Sequence, residues 1–143
     1  MKTCGIITEY NPFHQGHIYH IKKTKELTQC DCLIAIVSNH FTQRGLFSLL
    51  TMQDKTKLAL EAGCNLVIEL PPCYAAQSAD YFAKYAVESL SQLHIDQICF
   101  GSETNNISTL KEYSKQMEST QVVPSLSMNQ NLYTKNIRPN DIL

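Results

Sequence analysis

Leu33-Ile34-Ala35-Ile36-Val37 sets five apolar residues in a row, three of them β-branched, with no polar alternation to mark a wet face. A strand of this kind is covered on both sides, so it calls for a sheet with helices above and below. The rest of the chain supplies them in turn. Thr3 to Thr8 reads as a first strand, and Ile18 to Leu27 as a first helix, with Ile18, Ile21 and Leu27 near helical period. Met52 to Ala62 reads as a helix closed by Gly63, and Leu66 to Leu70 as a strand stopped by Pro71-Pro72. Ser78 to Leu93 follows as a long helix with Ser78 at its N-cap and Phe82, Val87, Leu90 and Leu93 toward its buried side. Ile98 to Phe100 is a short fourth strand running into Gly101. Repeated strand–helix–strand order predicts an α/β fold with a doubly wound parallel sheet.

At 143 residues and 43% hydrophobic, the chain is one domain's worth with enough apolar side chains for a core. A formal net charge of −1 gives no global pull on nucleic acid, so RNA contact would need a local patch. The six cysteines fall mostly in or beside apolar, strand-like runs, as reduced buried thiols do. The start Met1-Lys2-Thr3-Cys4-Gly5 is too weakly apolar for a signal peptide, and no run is long enough to span a membrane; cytoplasm is the expected compartment. Ile107 to Met117 reads as a helix with Leu110 and Tyr113 inward. Gln121 to Asn136, rich in Ser, Asn and Gln, reads as an exposed loop, with Lys135 and Arg138 a thin basic pair facing solvent. The expected division is one folded unit over 1–120 and an extended segment over 121–143.

In such a sheet ligands sit beyond the carboxyl ends of the strands. Thr8 to His17, Ser38 to Gly45, Pro71 to Ser78 and Gly101 to Glu103 converge there. The first carries the chemistry: His14-Gln15-Gly16-His17 opens the first helix straight after the first strand. Gly16 permits close approach of the backbone, and the helix start offers N–H groups and a positive dipole end suited to a triphosphate. His14 and His17 add donors that tighten as charge builds on phosphorus. A metal site is the lesser alternative: His20 can extend the face to three histidines, but Cys30-Asp31-Cys32 lacks zinc-type spacing. Arg44 can meet phosphate or stand solvated, and Tyr10, Tyr19, Tyr81 and Tyr85 can stack on a base or pack.

Glu9-Tyr10-Asn11-Pro12-Phe13-His14-Gln15-Gly16-His17-Ile18-Tyr19-His20, with Gln43-Arg44-Gly45, Ile68-Glu69-Leu70-Pro71, Gln77-Ser78-Ala79-Asp80-Tyr81-Phe82-Ala83 and Phe100-Gly101-Ser102-Glu103, resembles the bacterial tRNA(Met) cytidine acetate ligase family. Motif order and spacing match over roughly the first hundred residues, and the set is far more specific than H-x-G-H alone. The resemblance implies a Rossmann-like H-x-G-H nucleotidyltransferase domain that uses ATP, accompanied by Mg²⁺, and acetate. Acetyl-adenylate would form first, and the acetyl group would pass to N4 of the wobble cytidine of elongator tRNA(Met). It also implies that Ile7, Thr8, Glu9, Tyr10, Asn11, Pro12, Phe13, His14, Gln15, Gly16, His17, Ile18, Tyr19, His20, Gly101 and Asn140 contact the nucleotide. His14 and His17 would be catalytic.

Four departures stand out. Ser38-Asn39-His40-Phe41 replaces the family's Ser-Gly-Asn-Phe, Met52-Gln53-Asp54-Lys55 replaces a lysine-tryptophan-x-arginine pattern, the stretch from Glu103 to Pro139 is short for the family, and family members continue well past position 143. Two other readings stay open: an H-x-G-H adenylyl- or cytidylyltransferase for a small phosphorylated metabolite, and a non-catalytic nucleotide-binding module. Self-association as a homo-oligomer is also left open.

Overall fold

A computed structural model describes residues 1–102, 108–112, 115 and, as backbone, 132–134. The elements are β1 (Thr3–Thr8), α1 (Gln15–Thr28), β2 (Cys32–Ser38), α2 (Met52–Ala62), β3 (Leu66–Leu70), α3 (Pro72–Ala75), α4 (Ala79–Gln92), β4 (Gln97–Gly101) and β5 (Leu132–Thr134). Strand order is β3-β2-β1-β4-β5, with the first four parallel and β5 antiparallel to β4.

The apolar run in β2 explains the layering. Leu33, Ala35 and Val37 point to one face, where they meet Ile21 of α1 and Ala59 of α2. Ile34 and Ile36 point to the other, where they meet Ala75 of α3 and Val87 and Leu90 of α4. Period-2 geometry thus splits one continuous hydrophobic string between two cores, as a doubly wound sheet requires. Gly5 lets α4 press onto β1: a Cβ there would lie 2.7 Å from both Leu90 methyls and 2.8 Å from Ile95 Cδ1.

Several boundaries differ from expectation. Helix α1 starts at Gln15, three residues before Ile18, because His14 caps it. Leu93 ends α4 as its C-cap and is 43% exposed, so it is not on the buried face. Ser78 does occupy the N-cap of α4, but its side chain makes no capping bond. The short helix α3 was not foreseen; Pro71-Pro72 stops β3 and then starts a turn of helix, where proline's missing N–H costs nothing. Strand β5 lies within the stretch expected to be an exposed loop and covers the open edge of β4. Residues 108–112 are helical, within the expected Ile107–Met117 helix. Tyr113, Lys135 and Arg138 lie outside the described residues.

None of the six cysteines is in a disulfide; Cys4, Cys30, Cys64 and Cys99 are buried and Cys73 is exposed. Burial raises the Cys64 thiol to about 11. Among the described residues no helix is long and apolar enough to cross a membrane.

Candidate functional site

The chain runs outward from β1 to β2 to β3, and α4 then carries it back to β4 on the other side of β1. β2 follows β1 on one side and β5 lies beyond β4 on the other, so the strand order reverses between β1 and β4, the place where such sheets take their ligands. The loop from Glu9 to His14 and Gly101, the last residue of β4, sit at this point.

His14 and His17 lock the start of α1 to each other. Nδ1 of His14 accepts a hydrogen bond from the Gly16 N–H at 3.1 Å, and Nδ1 of His17 accepts one from the His14 N–H at 3.1 Å. This is a reciprocal capping box with imidazoles in place of the usual hydroxyl and carboxylate. With both Nδ1 atoms accepting, a neutral ring must carry its proton on Nε2, at the far edge from the cap. The rings lie 3.9 Å apart between centroids. Burial, then the nearby His14 and His20, lowers His17 to about 4, so His17 is a neutral Nε2–H donor at pH 7.

The neighbours hold that arrangement. Tyr10 is 1% exposed and meets His17 edge-on at 4.9 Å and Phe13 at 4.8 Å. Its side chain therefore props His17 from beneath; it is not open to stack on a base. Gly16 has a structural reason of its own: a Cβ there would lie 2.9 Å from Cε1 and 3.0 Å from Nδ1 of His14. The glycine clears room for the capping ring.

Longer-range bonds fix the surrounding loops. The Glu9 carboxylate accepts from the Gln43 N–H, and Gln43 Nε2 donates to the Gln77 carbonyl at 2.9 Å. Asn11 Oδ1 accepts from the Leu49 N–H at 2.6 Å, while Asn39 Nδ2 donates to Glu69 at 2.6 Å. Lys55, 0% exposed, donates to the carbonyls of Ser38 at 2.8 Å and Asn39 at 3.1 Å. Burial lowers its pKa, opposed by Glu9. The one base left from the lysine-tryptophan-x-arginine pattern is thus spent on the end of β2 and closed off from solvent. The sequence hides such contacts because partners stand 16 or more positions apart; only the departure at Lys55 drew attention to it.

The other expected site residues are spread around this corner. Ile7, Thr8, Phe13, Ile18 and His20 are half-buried, while Pro12, Gln15 and Tyr19 are exposed. Gly101 pairs with Leu132 of β5. Asn140 and Glu103 lie outside the described residues. His20 Nε2 is buried without a hydrogen-bond partner among the described residues. Both Nδ1 atoms of His14 and His17 are already engaged, and among the described residues no group of three or more His, Cys, Asp or Glu side chains is placed to hold a metal ion. A cavity of about 870 Å³ lies to one side, between α2 and the loop before it, with Asn39, Phe47, Leu49 and Glu69 in its wall; none of the expected site residues lines it.

The family model described as HIGH Nucleotidyl Transferase matches residues 1–138. The chain belongs to the HIGH nucleotidyl transferase family. Within the family it is similar to a tRNA(Met) cytidine acetate ligase of Geobacillus sp. (strain WCH70), with 50% identity over 115 residues, which are 80% of this chain and 29% of that protein. A ligase of the same name from Clostridium novyi (strain NT) is 49% identical over 116 residues, again 80% and 29%. The Thermotoga maritima TmcAL structure bound with alpha-thio ATP superposes with a TM-score of 0.79 at 37% identity, covering 85% of this chain and 30% of that one. A lipopolysaccharide core biosynthesis protein from Thermoplasma volcanium, 16% identical with a TM-score of 0.54, shares the fold. The chain spans less than a third of the length of these acetate ligases.

Proposed function

We propose that this HIGH nucleotidyl transferase chain performs the ATP-dependent step of a tRNA(Met) cytidine acetate ligase. An acetate oxygen attacks the α-phosphorus of ATP, the bond to the bridging oxygen breaks, and pyrophosphate leaves with that electron pair. Acetyl-adenylate then gives its acetyl group to N4 of the wobble cytidine of elongator tRNA(Met), releasing AMP. Residues 1–120 form the nucleotide-handling unit.

The observation that carries this reading is the paired imidazole cap at the head of α1. Each ring accepts at Nδ1 and so keeps Nε2–H as its remaining donor, beside the positive end of a helix dipole. Negative charge grows on the phosphoryl oxygens and leaving group in the transition state, so fixed donors act there without reorganising. Acetate is already ionised at neutral pH, and no general base is needed for the first step. Mg²⁺ would arrive with the triphosphate, since no protein cage for it is present among the described residues. The half-identity to the two acetate ligases, and the ATP analogue carried by the TmcAL structure, support adenine nucleotide as the ligand.

Acetate-dependent exchange of labelled pyrophosphate into ATP tests the chemistry. His17→Ala is expected to lower exchange by about 10²–10³-fold while calorimetry shows a far smaller loss of nucleotide affinity. Exchange that needs another acid, or equal loss of binding and turnover in His17→Ala, would overturn the assignment.

A further inference from the structure

The carboxyl rim carries a second aromatic feature, away from the histidines. Tyr74 of α3 lies 4.2 Å from Tyr85 of α4 between ring centroids, tilted by 33°. Tyr81, one turn before Tyr85 on the same helix face, lies 6.2 Å from it and within 22° of parallel. Core packing accounts for Tyr85, which rests against the cluster under α4. It does not account for its neighbours: among the described residues Tyr74 is 40% and Tyr81 54% exposed. One exposed tyrosine is ordinary, but three rings gathered with near-aligned planes leave apolar π-surface facing water.

This cluster is fastened to the histidine corner. Gln77, in the turn between α3 and α4, accepts from Gln43 Nε2 at 2.9 Å, and the Gln43 backbone donates to Glu9, five residues before His14. Gln77 also donates to the Cys73 carbonyl at 2.9 Å, closing the turn that sets Tyr74 beside Tyr85. One cation stands on α4 itself, Lys84, exposed between Tyr81 and Tyr85 in sequence with Glu88 at 3.9 Å; a second, Arg44, is exposed in the loop between β2 and α2, next to the Gln43 that bonds to Gln77.

We propose that Tyr74, Tyr81 and Tyr85 form a stacking platform for the unpaired bases of an RNA whose reacting base enters the histidine corner, to which the platform is tied through Gln43. The proposal rests on the acetate ligase reading, which requires an acceptor base outside a duplex. A paired base hides its face in the helix stack, whereas an unpaired base offers that face to tyrosine whatever its identity. Flanking bases would be held by stacking and backbone charge, leaving sequence choice to contacts elsewhere.

Fluorescence anisotropy of the full 143-residue chain with a dye-labelled, unstructured oligoribonucleotide, and with the same strand annealed to its complement, tests this. The single strand should bind more tightly than the duplex. Tyr81→Ala and Tyr74→Ala should each weaken single-strand binding on the order of tenfold or more, while Tyr81→Phe keeps it. Affinity for a non-hydrolysable ATP analogue should not change in any of the three. Circular dichroism checks folding, and if Tyr74→Ala does not fold, the more exposed Tyr81→Ala decides. The platform is overturned if the wild type binds no RNA, if duplex binds as well as single strand, or if the alanine variants bind like wild type. It is also overturned if Tyr81→Ala loses the nucleotide analogue instead, since the rings would then hold adenine. Tyrosine-dependent RNA binding in a chain that fails to bind the analogue would keep the platform and sink the ATP reading.

Discussion

Gly16 shows how a single hydrogen atom in place of a methyl sets up the corner. By helix propensity alone, alanine there should help by nearly 1 kcal/mol, because glycine is the poorer helix former. The geometry predicts the opposite for function: the added Cβ would sit 2.9 Å from the His14 ring and push it off the Gly16 N–H. That ring stacks on His17, so both imidazoles lose their orientation together. Gly16→Ala is therefore expected to leave thermal stability within about 1 kcal/mol, propensity gained against a cap bond lost, while pyrophosphate exchange falls at least tenfold. A variant with wild-type exchange would show that the cap does not position the chemistry. His14 and His17 were visible in the sequence as a motif, and their roles as cap and box partner follow from spacing three apart. Tyr10 was not: its place beneath His17 depends on a left-handed backbone at φ 50°, which no residue type at that position announces.

At the scale of elements, the fold depends on how closely α4 lies on β1. Leu90 and Ile95 fill the space above Gly5 and are themselves 0% and 5% exposed, so their methyl groups have little room to swing aside. Gly5→Ala should thus lower stability by about 1–3 kcal/mol through overpacking, read as a drop in urea midpoint. Gly5→Ala combined with Leu90→Val should recover part of the loss, as contacting residues do in a double-mutant cycle; strictly additive effects would place the cost elsewhere. The strands β1 to β4 were legible because two-sided burial writes continuous apolar runs such as Leu33 to Val37. Helix α2 was legible from its period and from Gly63, whose N–H closes the last turn. The misses share a cause. Helix α3 is too short for any period to show, and β5 has polar neighbours and gains its place by pairing with the free edge of β4. The loop ties Glu9 to Gln43 and Lys55 to Ser38 likewise join residues far apart in sequence, which local patterns do not encode.

For the molecule as a whole, the site's electrostatics should be readable in its response to acid. His17 is held at about 4 against an ordinary 6.5, and burial lowers His20 as well. Both are neutral in the fold yet take up protons readily once unfolded, so between these values the unfolded chain binds more protons. Stability should then be undiminished above about pH 6.5 and fall as pH drops toward about 4. A second loss follows at lower pH from the opposite kind of group. Asp96 accepts from the Thr3 N–H at 2.7 Å and its hydroxyl at 2.9 Å, bonds that hold its carboxyl below the usual 3.8 and join the starts of β1 and β4. Its contribution is present above pH 3.8 and is lost as the carboxylate protonates. The two windows can be separated with His17→Asn, whose amide cannot titrate while its oxygen can still accept from the His14 N–H. Urea unfolding at a series of pH values should give a shallower fall for this variant between 6.5 and 4, with the Asp96 window unchanged below. Identical slopes in variant and wild type would mean that His17 titrates as an ordinary exposed imidazole, and the neutral Nε2–H donor on which the proposed phosphoryl chemistry depends would lose its basis.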